Sequence, residues 1–261
     1  MQKIDFKILP TILLDEYLKA IDKNMLGNIE KLEESELSLN NFSFYTSVSA
    51  VYSSKIEGED IELDSYIKHK KFGIEFLPDY TKKIDDLYDA YQFAKLNDLN
   101  KENIATIHSL LTKNILTTTH QGKIRAGNMY VTTPDGKIEY VAASPFEVNT
   151  EMEKWYADVE LLLNTKLTVE ETFFFASLIH LVFLKVHPFN DGNGRTSRLI
   201  EKWFLAKKIG ERAWLIQSEK YYYDNLRAYY NNLRSLGIEY ELLDFSKALP
   251  FLCMLPKSIS K

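Results

Sequence analysis

One cysteine, Cys253, stands in 261 residues, so no internal disulfide can form and the small disulfide-framework classes are excluded. Positive charge is not in excess: 32 Lys and Arg against 37 Asp and Glu give a net charge of −5. A nonspecific nucleic-acid binder displaces counterions with a basic surface, so that class is disfavoured. Long apolar runs are missing as well. The most apolar stretch, Phe173 to Val186, is interrupted by His180 and Lys185 and falls short of the roughly 20 residues that span a bilayer. It reads as a buried core helix. The first residues, MQKIDFKILP, lack the hydrophobic centre of a signal peptide, and the expected compartment is cytoplasmic, with no membrane partner. Internal repeats and low-complexity linkers are absent. What remains is ordinary globular composition, 45% hydrophobic and 26% charged, in a chain long enough for one large domain or two small ones.

Helical periodicity dominates. Leu13, Leu14, Tyr17, Leu18 and Ile21 recur at helical spacing after Pro10; Gly27 and Asn28 punctuate the pattern, and a second helix is expected to run on through Glu33. Phe42, Tyr45, Val48, Tyr52 and Ile56 mark one face of a further helix that ends at Gly58, a natural C′ residue. Asp85 to Ala94 is helical in pattern, and Ile104, Ile107, His108 and Leu111 form another helical face. His108 and His180 sit among apolar residues without metal-ligand spacing and read as core histidines, whereas His69 and His120 lie among polar residues and are expected at the surface. Thr168 with Glu171 forms a capping box at the start of the apolar helix, Pro188 stops it, and a second helix is expected from Arg195 to about Ile209, closing at Gly210. Phe189 reads as a core plug, and Leu199, Trp203 and Phe204 as the apolar face of that helix. The one β signal lies at 128–141, NMYVTTPDGKIEYV, where Pro134, Asp135 and Gly136 make a turn between two alternating runs. The fold class expected is all-α with a small β-hairpin.

Between the apolar helix and its successor lies HPFNDGNGRTSR, His187 to Arg198. Gly192 and Gly194 bracket Asn193 just ahead of a helical pattern, which gathers backbone N–H groups into a nest at a helix N-terminus, where anions bind. His187 can accept a proton near neutral pH, Asp191 can hold a hard cation such as Mg²⁺ through oxygen, and Arg195 and Arg198 share a face of the first turn and can fork onto phosphate oxygens. The stretch reads as a phosphoryl- or nucleotidyl-transfer site. A plain glycine-rich turn between two core helices would not require five convergent polar groups.

These twelve residues match HxFx(D/E)GNGRxxR at every specified position, and on them the chain resembles the Fic family. The resemblance implies a Fic-type helical core at 101–235, containing a hairpin flap (128–141) and the catalytic motif (187–198). An N-terminal helical region (1–100) would precede it and a tail (236–261) would pack on it. It implies transfer of AMP from ATP, with Mg²⁺ on Asp191, to a Ser, Thr or Tyr hydroxyl of a protein substrate. His187 would be the base, and Gly192, Asn193, Gly194, Arg195 and Arg198 would hold the nucleotide. The run EKYYYDNLRAYYNNL reads on its own as amphipathic packing with surface hydroxyls. By resemblance to a Tyr-Tyr-x-x-Leu stretch, Tyr222 and Tyr223, with Leu226, would lie beside the base, although Tyr230 stands where some members have asparagine.

Two outlying elements complete the reading. The flap, reached after a GxxR-like stretch at Gly122 to Arg125, would align an extended target by strand addition, through Met129, Val131, Ile138 and Tyr140. Ser53, Glu57 and Gly58 fit (S/T)xxxE(G/N). Taken alone, Glu57 is a surface acid that loses about 0.3–1 kcal/mol to its helix dipole. The resemblance implies instead an inhibitory helix at about 41–58 whose Glu57 pairs with Arg198. Two further functions stay open, the reverse removal of AMP and a catalytically silent nucleotide sensor, and so does a homodimer.

Overall fold

A computed structural model describes residues 5–39, 43–76, 80–132 and 138–259. The chain runs through α1 (Leu14–Ala20), α2 (Met25–Glu30), α3 (Phe44–Ile56), α4 (Leu63–Phe72), α5 (Lys82–Leu96) and α6 (Lys101–Leu111). It then forms a hairpin of β1 (Tyr130–Thr132) and β2 (Ile138–Val141). After it come α7 (Val148–Asn164), α8 (Val169–Val186), α9 (Asn193–Ile209), α10 (Ser218–Asp224), α11 (Leu226–Arg234), and the one-turn helices α12 (Leu249–Leu252) and α13 (Met254–Lys257). Among the described residues the fold is all-helical apart from that antiparallel pair. No helix among the described residues is long and apolar enough to cross a membrane.

The core is built around α8. Its Thr168 cap accepts from the Glu171 N–H while the Glu171 carboxylate accepts from the Thr168 N–H, closing a capping box worth roughly 1 kcal/mol. Residues Thr172 to Phe183 are then buried all round, because α7, α9, α1, α2 and the tail helices cover every side. Each of its phenylalanines contributes about 1.5–3 kcal/mol of hydrophobic stabilisation. Trp155 of α7 and Trp203 of α9 fill the layers beside it, their indole N–H groups donating to Ile179 O and Asn97 O, both at 3.2 Å.

Helix α9 departs from the amphipathic expectation. Besides Leu199, Trp203 and Phe204, its polar residues are buried too, which is tolerated because most find a partner; among the described residues Arg195 Nε and the Thr196 hydroxyl have none. Lys202 donates to Ser49 Oγ and to Glu219, which also accepts from the Tyr91 hydroxyl, and Glu201 bonds His180.

Four expectations are corrected. Gly27 and Asn28 lie inside α2 rather than ahead of a helix, because Met25 and Ile29 must share one turn to reach the core. Helix α9 starts at Asn193, two residues early, with Gly192 at φ 78° as its N-cap. His69 is half-buried between Ile74 O and the Asp85 carboxylate, each 3.0 Å away. Two hydroxyls of the tyrosine run face the interior: Tyr222 donates to Glu201 and Tyr229 bonds His180. Phe42 and the turn at Pro134, Asp135 and Gly136 lie outside the described residues.

Candidate active site

Helix α8 ends at His187, the one non-glycine residue with positive φ (53°) among those described. Its N–H closes on Phe183 O at 3.0 Å, so the last turn is capped by a left-handed residue that is usually glycine. A histidine held there stores backbone strain of the kind found at functional sites. The surroundings over-determine it. Arg125, buried, donates from Nε to His187 O (2.8 Å), from Nη1 to Gly127 O (2.8 Å) and from Nη2 to the carbonyls of Ala143 and Val186, while its own N–H donates to Pro188 O (2.9 Å). One guanidinium thus ties together the end of α8, the base of the hairpin and the loop.

The imidazole leans on Leu184 O through Nδ1 at 3.2 Å. With Nδ1–H given to that carbonyl, Nε2 keeps its lone pair and can take a proton. Burial of its surroundings pushes His187 down to about 4, with Arg125 acting in the same direction, so the ring is neutral at physiological pH.

The loop beyond is fixed from below. Asn193 accepts from the Phe189 N–H (2.9 Å) and donates to Phe189 O (2.8 Å), so its carboxamide is spent on the loop, and only its main chain is left for an anion. Phe189 stacks on His108, centroids 3.6 Å apart. The Gly122 N–H donates to His108 Nδ1, which leaves Nε2–H to donate to Asp191 O at 2.9 Å. Burial holds His108 at about 4, in keeping with this neutral tautomer. Gly192 has no room for a side chain: a Cβ would lie 2.7 Å from Thr112 Cγ2.

Asp191 is exposed, and its Oδ1 accepts from the Gly192 N–H at 2.5 Å. Among the described residues there is no cluster of three or more His, Cys, Asp or Glu able to hold a metal. One hard carboxylate oxygen fits Mg²⁺ that arrives with phosphate oxygens, not a resident ion.

Helix α3 closes the site. Gly58 at φ 92° ends it in a Schellman turn, with Gly58 N–H bonding Lys55 O (3.0 Å) and Glu59 N–H bonding Ser54 O (3.1 Å). Glu57, just before that turn, is delivered to Arg198: Nη2 donates to Glu57 Oε1 at 2.6 Å and to Ser53 O at 2.9 Å, and Nε donates to Ser53 Oγ at 2.8 Å. Burial raises the Glu57 carboxyl, but the charges of Arg198 and Arg195 and the Arg198 hydrogen bond more than offset it, and its pKa is lowered. Arg195 has a carboxylate of its own, Glu59 at 3.7 Å, which Lys83 holds at 2.7 Å.

A cavity of about 180 Å³ opens here, lined by Glu57, His187, Gly194 and Arg198 together with Val131 and Tyr140 of the hairpin, Lys185, and Tyr229 and Tyr230 of α11. Of the residues expected at a nucleotide, Gly194 and Arg198 line the cavity, Gly192, Asn193 and Arg195 stand beside them in the same turn, and Tyr222 and Tyr223 lie elsewhere. Tyr222 is buried on Glu201, and Tyr223 packs on the Tyr52 ring with the Lys55 ammonium over it; Tyr229 and Tyr230 of α11 line the cavity instead, with Tyr140 of the hairpin. The hairpin also sorts its residues. Val131 pairs with Tyr140, and both line the cavity; the Tyr140 hydroxyl donates to Lys185 O at 2.6 Å, which makes Tyr140 an anchor rather than a docking face. Ile138 points outward and Met129 is half-buried, its carbonyl accepting from Ala142 N–H. Beyond β2, Val141 N–H donates to Ile238 O at 2.7 Å, so the open edge among the described residues is that of β1.

Arg125, His108, Tyr229 and Glu59 escaped the sequence reading as site residues. Only Arg125 left a trace, in the GxxR-like stretch.

Residues 98–205 match the family model described as Fic/DOC family. No curated protein matches the chain. Among solved structures, a Fic family protein from Desulfovibrio desulfuricans is similar with a TM-score of 0.76 at 18% identity, covering 98% of this chain and 74% of that one. A Fic-domain signalling protein from Bacteroides thetaiotaomicron is similar at TM-score 0.62 and 18% identity, covering 95% and 92%. Fic-1 from C. elegans follows at TM-score 0.61 and 17% identity, covering 94% and 71%. At these identities the structures establish the fold alone, and the motif and the family match carry the relationship: residues 98–205 form a domain of the Fic/DOC family.

Proposed function

We propose that this protein transfers AMP from Mg²⁺-bound ATP to a Ser, Thr or Tyr hydroxyl of a protein substrate and that Glu57 holds the reaction off. One observation carries the reading: the Glu57 carboxylate lies against Gly194 and on Arg198, in the cavity that a neutral His187 lines, and His187 Nε2 has no hydrogen-bond partner among the described residues. A seat that takes a carboxylate takes a phosphate oxygen. The Nε of Arg195 supports it, as a buried donor with no partner among the described residues, which a phosphate oxygen would satisfy.

In this mechanism the main-chain N–H groups of Asn193 and Gly194 and the side chain of Arg195 bind phosphate oxygens, Arg198 takes the terminal phosphate once Glu57 is out of the way, and His187 Nε2 removes the proton of the target hydroxyl. The hydroxyl oxygen forms its bond to the α-phosphorus as the bond to pyrophosphate breaks. Asp191 would hold the Mg²⁺, which supplies charge neutralisation at the phosphates. Positioning and electrostatic stabilisation supply most of the rate. The free edge of β1 gives an extended target backbone partners with little demand on its sequence.

Intact-mass analysis of wild type, Glu57→Gly and Glu57→Gly/His187→Ala after incubation with ATP and Mg²⁺ tests the reading. An AMP-sized adduct is expected on Glu57→Gly, weak on wild type and absent from the double variant. Because Glu57 and His187 line one cavity, removal of AMP from a modified protein is the second reading. Loss of that adduct from isolated modified protein mixed with fresh wild type would favour it.

A further inference from the structure

Arg198 is nearly fully buried, and its hydrogen bonds to Ser53 and Glu57 come from one edge, the last turn of α3. Helix α3 is itself firmly seated, with Val48, Val51 and Ile56 in the core, so release of the site requires Glu57 to swing out rather than α3 to leave. Ser53 then still holds Nε and one Nη2 bond. The opposite edge of the guanidinium needs a partner of its own if the group is to meet a phosphate without reorganising.

Helix α11 stands beside the guanidinium, its Tyr229 lining the same cavity as Arg198. The Tyr229 hydroxyl lies within side-chain hydrogen-bond reach of Arg198 and feels its charge. The same hydroxyl lies 3.0 Å from His180 Nε2, and His180 Nδ1 lies 2.7 Å from Glu201 Oε2. Tyr222 closes the chain, its hydroxyl donating to Glu201 Oε1 at 3.0 Å and Oε2 at 2.9 Å. All of these side chains are buried. In the neutral tautomer that gives Nδ1–H to the carboxylate, His180 Nε2 is an acceptor and Tyr229 O–H donates to it, which leaves the tyrosine oxygen as an acceptor for Arg198. The polarity runs one way, guanidinium to phenol to imidazole to carboxylate, and each bond polarises the next. Nothing in the proposed chemistry otherwise uses these groups, and a hydrophobic core would not need them.

We propose that Tyr229, oriented by His180 and Glu201, is a positioning residue that keeps Arg198 aimed at the terminal phosphate of the nucleotide. This rests on the proposed role of Arg198. It predicts that the chain matters for a triphosphate and not for a diphosphate, which a merely structural role would not do.

The experiment is equilibrium binding of ATP and of ADP, each with Mg²⁺, to Glu57→Gly alone and combined with Tyr229→Phe, with Glu201→Gln, with Arg198→Ala, and with Arg198→Ala and Tyr229→Phe together. Tyr229→Phe is expected to weaken ATP roughly tenfold, as for one bond to a charged group, and to leave ADP within about twofold. Glu201→Gln should shift the ATP-to-ADP ratio in the same direction by less. On the Arg198→Ala background Tyr229→Phe should add nothing. If Arg198→Ala changes the ratio and Tyr229→Phe and Glu201→Gln do not, the positioning role is overturned while the role of Arg198 stands. Equal loss of ATP and ADP overturns it in favour of a structural role. If Arg198→Ala itself leaves the ratio unchanged, both fall together.

Discussion

Glu57 stands against Gly194 so closely that a Cβ on that glycine would lie 2.3 Å from Oε1. Two positions 137 apart in sequence thus exclude each other's bulk, and in the proposed mechanism the carboxylate competes with a phosphate for Arg198. Removal of the carboxylate should open the seat and leave Arg198 without its countercharge. For Glu57→Gly, ATP affinity is expected to rise about 5–150-fold, the range of a 1–3 kcal/mol coupling. In the absence of nucleotide the variant should be less stable by about 1–2 kcal/mol, below the value for a fully buried pair because the Glu57 side chain is 29% exposed. Calorimetric titration and thermal unfolding with and without ATP read both. An unchanged ATP affinity would sink the latch.

His187 gives the pH dependence. Its folded pKa, about 4, lies below the ordinary histidine value, so the neutral base is already present at pH 6, where an unperturbed imidazole would be mostly protonated. For Glu57→Gly, kcat/KM is expected to be flat from about pH 5.5 upward on the acid side, since that parameter reports the free enzyme. An acid limb with its midpoint near 6.5 would show that the imidazole is solvated as in a free peptide.

Lys185 has no carboxylate partner among the described residues; its ammonium lies 4.2 Å from the centroid of the Tyr140 ring, and burial lowers it to about 8. Below pH 8 it is charged both folded and unfolded, so the cost of burying the charge is fully present there. Between pH 8 and its unfolded value near 10.5 the folded form has lost the proton and the unfolded form has not, and the cost disappears. Lys185→Met should therefore be more stable than wild type at pH 7, by about 1–3 kcal/mol after loss of the cation–π contact, with the gap closing toward pH 10.5. Denaturant midpoints across that range provide the check; a gap constant with pH would mean the ammonium is solvated.

Arg125 makes contacts that need its planar fork, reaching four carbonyls in directions a single ammonium cannot serve. Arg125→Lys is expected to lower stability by about 2 kcal/mol or more, since it leaves buried carbonyls unpaired. Transfer by the Glu57→Gly background should fall by at least roughly 100-fold through misplacement of His187. Unfolding and adduct formation, measured on the same preparations, separate the two effects. Full activity in a stable Arg125→Lys would show that the left-handed His187 holds its place without the clamp.

What was legible in the sequence is what the chain keeps contiguous. The nest, His187, Asp191 and the two arginines fall within twelve residues, and the capping box, Gly58 and Gly210 act on their own helix ends. The helices announced themselves by period. What was not legible depends on closure over distance: Arg125 on His187 spans 62 positions, His108 on Asp191 spans 83, and Tyr230 on Ile56 spans 174. The tyrosine hydroxyls were misplaced for the same reason, because the acceptors that allow them inside, Glu201 and His180, sit on other helices. Tyr140 looked like an outward flap residue until register paired it with Val131 over the cavity.

The Schellman turn at Gly58 presents a second carboxylate, and its weight follows from geometry. Glu59 lies 3.7 Å from Arg195, a longer approach than the 2.6 Å of Glu57 to Arg198, and it is shared with Lys83 at 2.7 Å. A charge already neutralised by a lysine competes weakly with a phosphate for Arg195, and a pair this long, with its carboxylate 27% exposed, is worth about 0–1 kcal/mol. Glu59→Gln is therefore expected to raise ATP affinity by less than about fivefold, well under the effect of Glu57→Gly, and Lys83→Ala to lower it slightly by returning Glu59 to Arg195. Titration of ATP into the single variants decides the ranking. If Glu59→Gln matched Glu57→Gly, Arg195 rather than Arg198 would be the arginine whose release governs the site.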